Sequence, residues 1–272
     1  MGMTELGTLG GTFSDARGIN DSGQVVGYST AVPGGNFHAF ITGTNGAGMT
    51  DLGTFGGDYS FALEINNSGQ VFGVFGNDGE ERFHYFITGP NGIGMTELPA
   101  VSFDGSKLYS YNGINDSGQL VGNTFDSDGV SAWNMHSFFT GDNGIGITEL
   151  SPGPDQFGND FYSSAAGINN SGQVIGYMSE DTFLYSNGTY ADLETLPSVV
   201  SGGWGSNFNV SDINNNGQII GHGLHNNGSS TEAYLLSNVA APVPETEIYA
   251  MLLAGLGWLG FTAYRRKRLI NG

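Results

Sequence analysis

Apolar residues in this chain come in short runs. Val, Ile, Phe and Tyr alternate with small or polar residues, and clusters of Gly, Asn, Asp and Ser separate the runs. Alternation over a few residues is the period of a half-buried strand rather than of a helix, and the separators are turn formers. The runs also repeat. INDSGQVVG at 19 returns as INNSGQVFG at 65, INDSGQLVG at 114, INNSGQVIG at 168 and INNNGQIIG at 213, so the Ile-Asn pairs stand 46, 49, 54 and 45 residues apart. Upstream of each pair lie SDARGIN, SFALEIN, YSYNGIN, SSAAGIN and NVSDIN. Downstream come FHAFITG (37–43), FHYFITG (83–89), MHSFFTG (135–141), TFLYSNG (182–188) and AYLLSN (233–238). MTDL (49–52), MTEL (95–98), ITEL (147–150) and YADL (190–193) follow the first four of these.

Each unit therefore reads as four strands. Strand A ends at Ile-Asn, B is of the GQVVGYS kind, C of the HAFIT kind and D of the MTDL kind. The Asn-Asp-Ser-Gly between A and B is a hairpin turn, because Asx and Ser side chains bond the local backbone and Gly accepts positive φ. Four antiparallel strands repeated every 45–54 residues predict an all-β fold, a five-bladed β-propeller over residues 1–238, with an extended solenoid as the alternative. Strand D occurs five times, but its first copy, MTEL at 3–6, precedes the first strand A, and the fifth unit ends after C. That displacement predicts that the N-terminal strand completes the fifth blade and closes the ring, since an open ring leaves a blade edge unpaired.

The pattern changes after residue 238. VAAPVPETE (239–247) is a Pro-containing linker, and an uncharged run from Ile248 to Tyr264 follows, holding Leu252, Leu253, Leu256, Trp258, Leu259 and Phe261. Arg265, Arg266, Lys267 and Arg268 end it. Seventeen residues of helix reach ~25 Å, the short end for a membrane crossing. The basic cluster belongs on the cytoplasmic side, which puts the body outside. A buried core helix is the alternative.

Charge and composition narrow the partners. The chain has 26 Asp plus Glu against seven Lys plus Arg, a net charge of −19, and four of the seven bases are those at 265–268. Such a body repels nucleic acid and anionic lipid, so no nucleic acid partner is expected. There is no cysteine, which excludes disulfides and thiolate metal sites. MGMTELGTLGG at the N-terminus has neither a basic segment nor an apolar run and does not read as a secretory signal peptide.

Two resemblances follow from these segments. The tail resembles the PEP-CTERM sorting signal of Gram-negative bacteria: Val243, Pro244 and Glu245 match its motif, Thr246 stands where a second Pro is usual, and the apolar run and basic end follow in order. The body resembles the HAF family of probable extracellular repeats, through His38-Ala39-Phe40 and the Asp51-Leu52-Gly53-Thr54-Phe55-Gly56-Gly57 stretch. The first resemblance implies handling by an exosortase at the inner membrane, cleavage near the motif and delivery to the cell surface or the exopolysaccharide layer. The second implies export behind a signal peptide and carries no assigned chemistry. Together they imply a non-catalytic interaction or structural role, with extracellular polysaccharide as a candidate partner. A carbohydrate-binding propeller and a glycoside hydrolase are the alternatives.

Candidate chemistry is sparse. Glu64 and Asp212 precede the Ile of strand A, where the other three units have Gly18, Gly113 and Gly167. If A is the innermost strand, both carboxylates approach the central channel, and a carboxylate pair suits glycoside hydrolysis. The simpler reading is acidic drift. His38, His84 and His136 share one strand-C position, replaced by Asp181 and Glu232 in the last two units. Equivalent positions diverge around a ring, so a hydrogen bond within each blade fits them better than a shared metal. Asp126 and Asp128, with the loop from Asn77 to Glu81, are the best calcium candidates, against solvated hairpin loops as the simpler reading. The turn Asn and Asp residues lack the carboxylate density of a calcium loop. No cofactor motif is present, so none is expected.

Overall fold

Strand-forming runs bounded by Asx-Gly turns fold back on their sequence neighbours, and the computed structural model shows that meander five times. It describes residues 3–80, 83–100, 107–125, 135–150, 162–179, 181–204, 208–225 and 230–237. Blade one holds β1 (Ser14–Ile19), β2 (Val25–Thr30), β3 (Phe37–Thr42) and β4 (Met49–Gly53). Blade two holds β5 (Tyr59–Ile65), β6 (Val71–Gly76), β7 (His84–Thr88) and β8 (Met95–Glu97). Blade three holds β9 (Lys107–Ile114), β10 (Leu120–Phe125), β11 (Met135–Thr140) and β12 (Ile147–Leu150). Blade four holds β13 (Ser163–Ile168), β14 (Val174–Met178), β15 (Asp181–Ser186) and β16 (Thr189–Asp192). A five-residue helix, α1 (Pro197–Ser201), leads to blade five, with β17 (Asn209–Ile213), β18 (Ile219–His225) and β19 (Ser230–Leu236). Each sheet is antiparallel in simple sequence order.

The repeated phrase is a staple between blades. Asn20 Oδ1 accepts the backbone N–H groups of Ser22 (3.2 Å) and Gln24 (3.0 Å), which closes its own hairpin. Its Nδ2 donates to the carbonyl of Asn66 in the next blade (3.1 Å). Asn66 does the same to Asn115 (2.8 Å), Asn115 to Asn169 (3.0 Å) and Asn169 to Asn214 (3.1 Å). The following residue adds a second rung: the N–H groups of Asp21, Asn67, Asp116 and Asn170 donate to the side-chain oxygens of Asn67, Asp116, Asn170 and Asn215. These oxygens are thus committed to the backbone rather than presented to an ion.

Strand A carries an irregularity in every blade. The register of β1 on β2 shifts between Ala16 and Gly18, and the matching shifts fall at Ala62/Glu64, Ala165/Gly167 and Val210/Asp212, with two in blade three, opposite Val121/Gly122 and Asn123/Thr124. A bulge bends the strand and re-aims its side chains. It also presses a carbonyl onto strand B, which explains the Gly of each GQVVG: a Cβ at Gly73 would overlap the carbonyl of Phe61 and the ring of Phe86, and at Gly122 those of Ser110 and Phe138.

The apolar core is divided among blade junctions. Val26 and Ile41 of blade one pack with Ala62 and Ile65 of blade two. Phe72 and Ile87 pack with Tyr111 and Ile114, Val121 and Phe139 with Ala165 and Ile168, and Ile175 and Leu184 with Val210 and Ile213. Five A strands lining one shared cavity make this a β-propeller and set the solenoid aside.

Closure differs from expectation. Among the described residues blade five is three-stranded, and residues 3–6 form no strand and do not pair with β19. Blade one holds the segment instead. A Cβ on Gly46 in the turn before β4 would meet Leu6 Cδ2 at 2.8 Å, just as one on Gly92 would meet Leu52 Cδ2 at 2.8 Å. Ser14 Oγ donates to the Gly7 carbonyl (2.8 Å) and Leu9 N–H to Ser29 Oγ (3.0 Å). Residues 3–6 therefore occupy the strand-D place relative to blade one without bonding the sheet they were expected to complete. Pairing there would also bring Glu5 towards Glu232, where blades one to three set a His beside the strand-D acid. Among the described residues no helix is long and apolar enough to cross a membrane; the expected transmembrane segment, with Ile248 and Arg265, lies outside them.

Candidate functional site

Bulged strand A turns its last residues inward, and the five together wall a cavity of about 450 Å³. Blade one contributes Gly18 and Ile19, blade two Glu64 and Ile65, blade three Asn112 to Ile114, blade four Ala166 to Ile168, and blade five Ser211 and Asp212. The two carboxylates singled out from the sequence thus share one wall. Room for each is left by the glycine of the preceding blade. A Cβ on Gly18 would lie 3.2 Å from Glu64 Cα, and one on Gly167 would lie 3.3 Å from Asp212 Oδ1.

Their surroundings differ. Glu64 is half-buried, and burial pushes its carboxyl up to about 7. The backbone N–H of Ile114 bonds it and opposes that rise, while the negative charge of Asp212 adds to it. Asp212 is exposed, and its Oδ1 accepts the N–H of Ile213 (2.8 Å). A carboxyl that holds its proton near neutrality, in one cavity with a second carboxyl whose charge raises it, is a donor–acceptor pair able to move a proton.

The strand-C histidines stay within their blades. His38 Nδ1 lies 2.9 Å from Asp51 Oδ2, His84 Nδ1 2.7 Å from Glu97 Oε1, and His136 Nδ1 2.7 Å from Glu149 Oε1. Each joins strand C to the acid of strand D. In blade five Glu232 instead meets His225 of strand B (3.1 Å). In blade four Asp181 and Asp192 both raise the carboxyl of Glu194, after its burial, which is the larger cause. Among the described residues no three His, Asp or Glu side chains gather as a metal-ligand set. Asp126, Asp128 and Glu81 lie outside the described residues.

A second cleft, of about 380 Å³, escaped sequence reasoning. Gly35, Asn36 and Phe37 of blade one face Tyr59, Phe61, Asp78 and Phe83 of blade two. The rings form a chain: Phe37–Phe61 centroids are 5.7 Å apart, Tyr59–Phe61 5.5 Å and Tyr59–Phe83 6.2 Å, and Phe83 is 56% exposed. Asn36 Nδ2 donates to the Asp58 carbonyl (3.1 Å), and the N–H of Asp78 to Asp58 Oδ2 (2.9 Å), which holds the polar rim in place. The available signal was Phe37 and Phe83, the same position in adjacent repeats, where blade three has Met135.

No family model and no curated protein matches the chain. Among solved structures it is similar to the β-propeller domain of the Trilobed protease from Pyrococcus furiosus, at 8% identity and a TM-score of 0.46, over 84% of this chain and 71% of that one. It is also similar to TolB from Acinetobacter baumannii, at 13% identity and a TM-score of 0.46, over 81% of this chain and 52% of that one. Likenesses this distant carry no chemistry across, and the propeller assignment stands on the strand order, the asparagine ladder and the shared cavity.

Proposed function

We propose that the chain is an exported, surface- or matrix-associated repeat propeller with a non-catalytic interaction role, sorted through its C-terminal tail. The observation that carries this reading is the order of the tail: Val243-Pro244-Glu245, the uncharged run at 248–264, then Arg265, Arg266, Lys267 and Arg268. Each Lys or Arg costs about 2.5–3.5 kcal/mol at the membrane centre on insertion scales, so the basic end stays inside and the acidic body goes out. An exosortase would then cut near Pro244, and extracellular polysaccharide is the proposed partner. The test supplies the chain with an export signal in a host that has an exosortase. The body should be protease-accessible from outside and lack residues 248–268. Recovery of the body from the cytoplasm overturns the localisation, and a mature surface form that keeps its tail overturns the sorting step.

A lectin-like role is the second reading, favoured by the cleft between blades one and two. Exposed ring faces stack on the C–H faces of sugars, and Asn36 and Asp78 offer hydrogen bonds to hydroxyls. Phe83→Ala should cut retention on neutral polysaccharide if this is right. A glycoside hydrolase is the third, favoured by Glu64 and Asp212 lining one cavity. Release of labelled sugar that disappears in Glu64→Gln would establish it, and no release would leave the binding readings.

A further inference from the structure

Asn-Gly occurs six times among the described residues, at 45–46, 91–92, 112–113, 143–144, 187–188 and 216–217. This dipeptide loses the asparagine amide readily, because a residue without a side chain lets its backbone nitrogen swing onto the Cγ of the residue before it. In a folded protein the reaction needs that N–H unengaged and the turn free to move.

Four of the pairs share a backbone conformation and differ in what holds them. Asn45, Asn91, Asn143 and Asn187 lie in the left-handed region, with φ of 55°, 55°, 57° and 51°, and each precedes a glycine of positive φ. In blades one to three the pair belongs to a longer turn, Thr44–Gly46, Pro90–Gly92 or Asp142–Gly144, that reaches the A–B hairpin of its own blade. There the glycine N–H donates to a carbonyl: Gly46 to Gly23 (2.9 Å), Gly92 to Gly69 (3.0 Å) and Gly144 to Gly118 (3.0 Å). Two of the asparagine oxygens are held as well. Asn91 Oδ1 accepts Gln24 Nε2 (3.3 Å), and Asn143 Oδ1 accepts Gln70 Nε2 (2.8 Å). Of the remaining pairs, Gly217 donates to the Asn214 carbonyl (2.9 Å), and Gly113 is buried in β9 opposite Val121.

Blade four has a shorter turn. Ser186 pairs directly with Thr189, so Asn187 and Gly188 are the whole loop between β15 and β16. That loop does not reach its A–B hairpin: a Cβ on Gly172 would meet only Gln119 Oε1, whereas one on Gly23 would meet the Asn45 backbone at 3.0 Å. Asn187 and Gly188 are both exposed, and a Cβ on Gly188 would meet nothing within 4 Å. Among the described residues the Gly188 N–H has no hydrogen-bond partner.

We infer that Asn187 is a self-modification site, at which the folded protein converts asparagine to aspartate and isoaspartate ahead of every other described Asn-Gly pair. Hydroxide takes the Gly188 amide proton, and the nitrogen attacks Asn187 Cγ. The N–Cγ bond forms, the Cγ–Nδ2 bond breaks, and Nδ2 takes a proton from water and leaves as ammonia. Water then opens the cyclic imide at either carbonyl. Both products place a new negative charge on the hairpin tip. Isoaspartate also adds a backbone carbon to a turn that needs positive φ at both residues, which loosens the hairpin that sets Tyr190 against Phe183 and Tyr185.

The test ages the full-length chain in mildly alkaline heavy-oxygen water, then maps the label by digestion in ordinary water and mass spectrometry. Label should enter at residue 187 at least about tenfold faster than at 45, 91, 112, 143 or 216, the rate factor of one net hydrogen bond, and faster as pH rises. In urea, where no turn is held, the six sites should converge on similar rates. Hydrogen exchange in β16 should rise in the aged parent and not in Asn187→Gln aged alongside it. Equal labelling of the six sites in the folded chain would overturn the inference, as would label entering first at a hydrogen-bonded pair. So would a folded chain that stays unlabelled at 187 while the urea sample converts, or β16 exchange that rises equally in parent and variant.

Discussion

Glu64 stands in the wall of the central cavity where three other blades place glycine, and its proton is the residue-scale feature with the clearest consequence. The folded protein holds that proton up to about pH 7, whereas an unfolded chain releases it near the ordinary carboxyl value of 4.5. Between those values the folded state binds more protons than the unfolded one, so this group's contribution to stability falls as pH rises. Glu64→Gln should therefore match the parent near pH 4 and exceed it by about 1–3 kcal/mol near pH 8, read from denaturant midpoints at both values. An equal offset at both would place the carboxyl outside the cavity wall. Two hairpin glycines make a second comparison. Gly172 has φ +70 and would meet only Gln119 Oε1, at 3.8 Å, so Gly172→Ala carries the backbone penalty alone, about 1 kcal/mol. Gly118 has φ +73, and its Cβ would meet Gln70 Oε1 at 2.8 Å and the Asn143 backbone at 3.1 Å. Gly118→Ala should cost about 1 kcal/mol more, and equal losses would mean that the neighbouring blade gives way freely.

At the scale of elements, the hairpin between strands A and B is where the repeat does its work. Asn115 is 3% exposed, closes its own turn and donates to Asn169 across the junction. Asn214 makes the same turn but is exposed. Asn115→Ala leaves buried amides and a carbonyl unpaired and should cost about 2–3 kcal/mol, while Asn214→Ala should cost about 1 kcal/mol or less. Equal costs would show that the turn alone, and not the link between blades, explains the repeated Asn. The hairpins were legible in the sequence because Asx-Ser-Gly turns are decided within a few residues. The cross-blade bonds were not, because they join residues 45 to 54 positions apart and depend on how sheets stack.

At the scale of the molecule, the seam between blades five and one separates this protein from a closed ring. Residues 3–6 contribute to stability through Leu6 on the turn of blade one rather than through a bond to β19. Deleting residues 1–6 should thus lower stability by about 1–2 kcal/mol, with increased hydrogen exchange in β4 and its preceding turn and none in β19. Increased exchange in β19 would restore the clasp. The aromatic cleft lies at a formed junction, between blades one and two, whereas the central cavity is walled by all five blades and borders the seam.

By itself the sequence determined the unit: four strands, the turns that join them, their fivefold recurrence, and a strand-D copy displaced to the N-terminus. Period-two alternation and turn chemistry are local, and local rules are written in neighbouring residues. It also marked Glu64 and Asp212 as odd among glycines, which sufficed to place them in one cavity once the A strands faced inward. Only the tertiary structure decided what those units do together. The bulge that aims strand A, the bonding of strand-C histidines to strand-D acids, and the cleft of Phe37, Phe61 and Phe83 depend on strands meeting across a sheet or a junction. Closure was the least legible feature, because a strand-D sequence states what it can pair with and not which neighbour holds it. Leu6 is captured by blade one, Glu5 would approach Glu232 across the edge it was expected to join, and Ile19, Ile220 and Leu235 remain facing solvent.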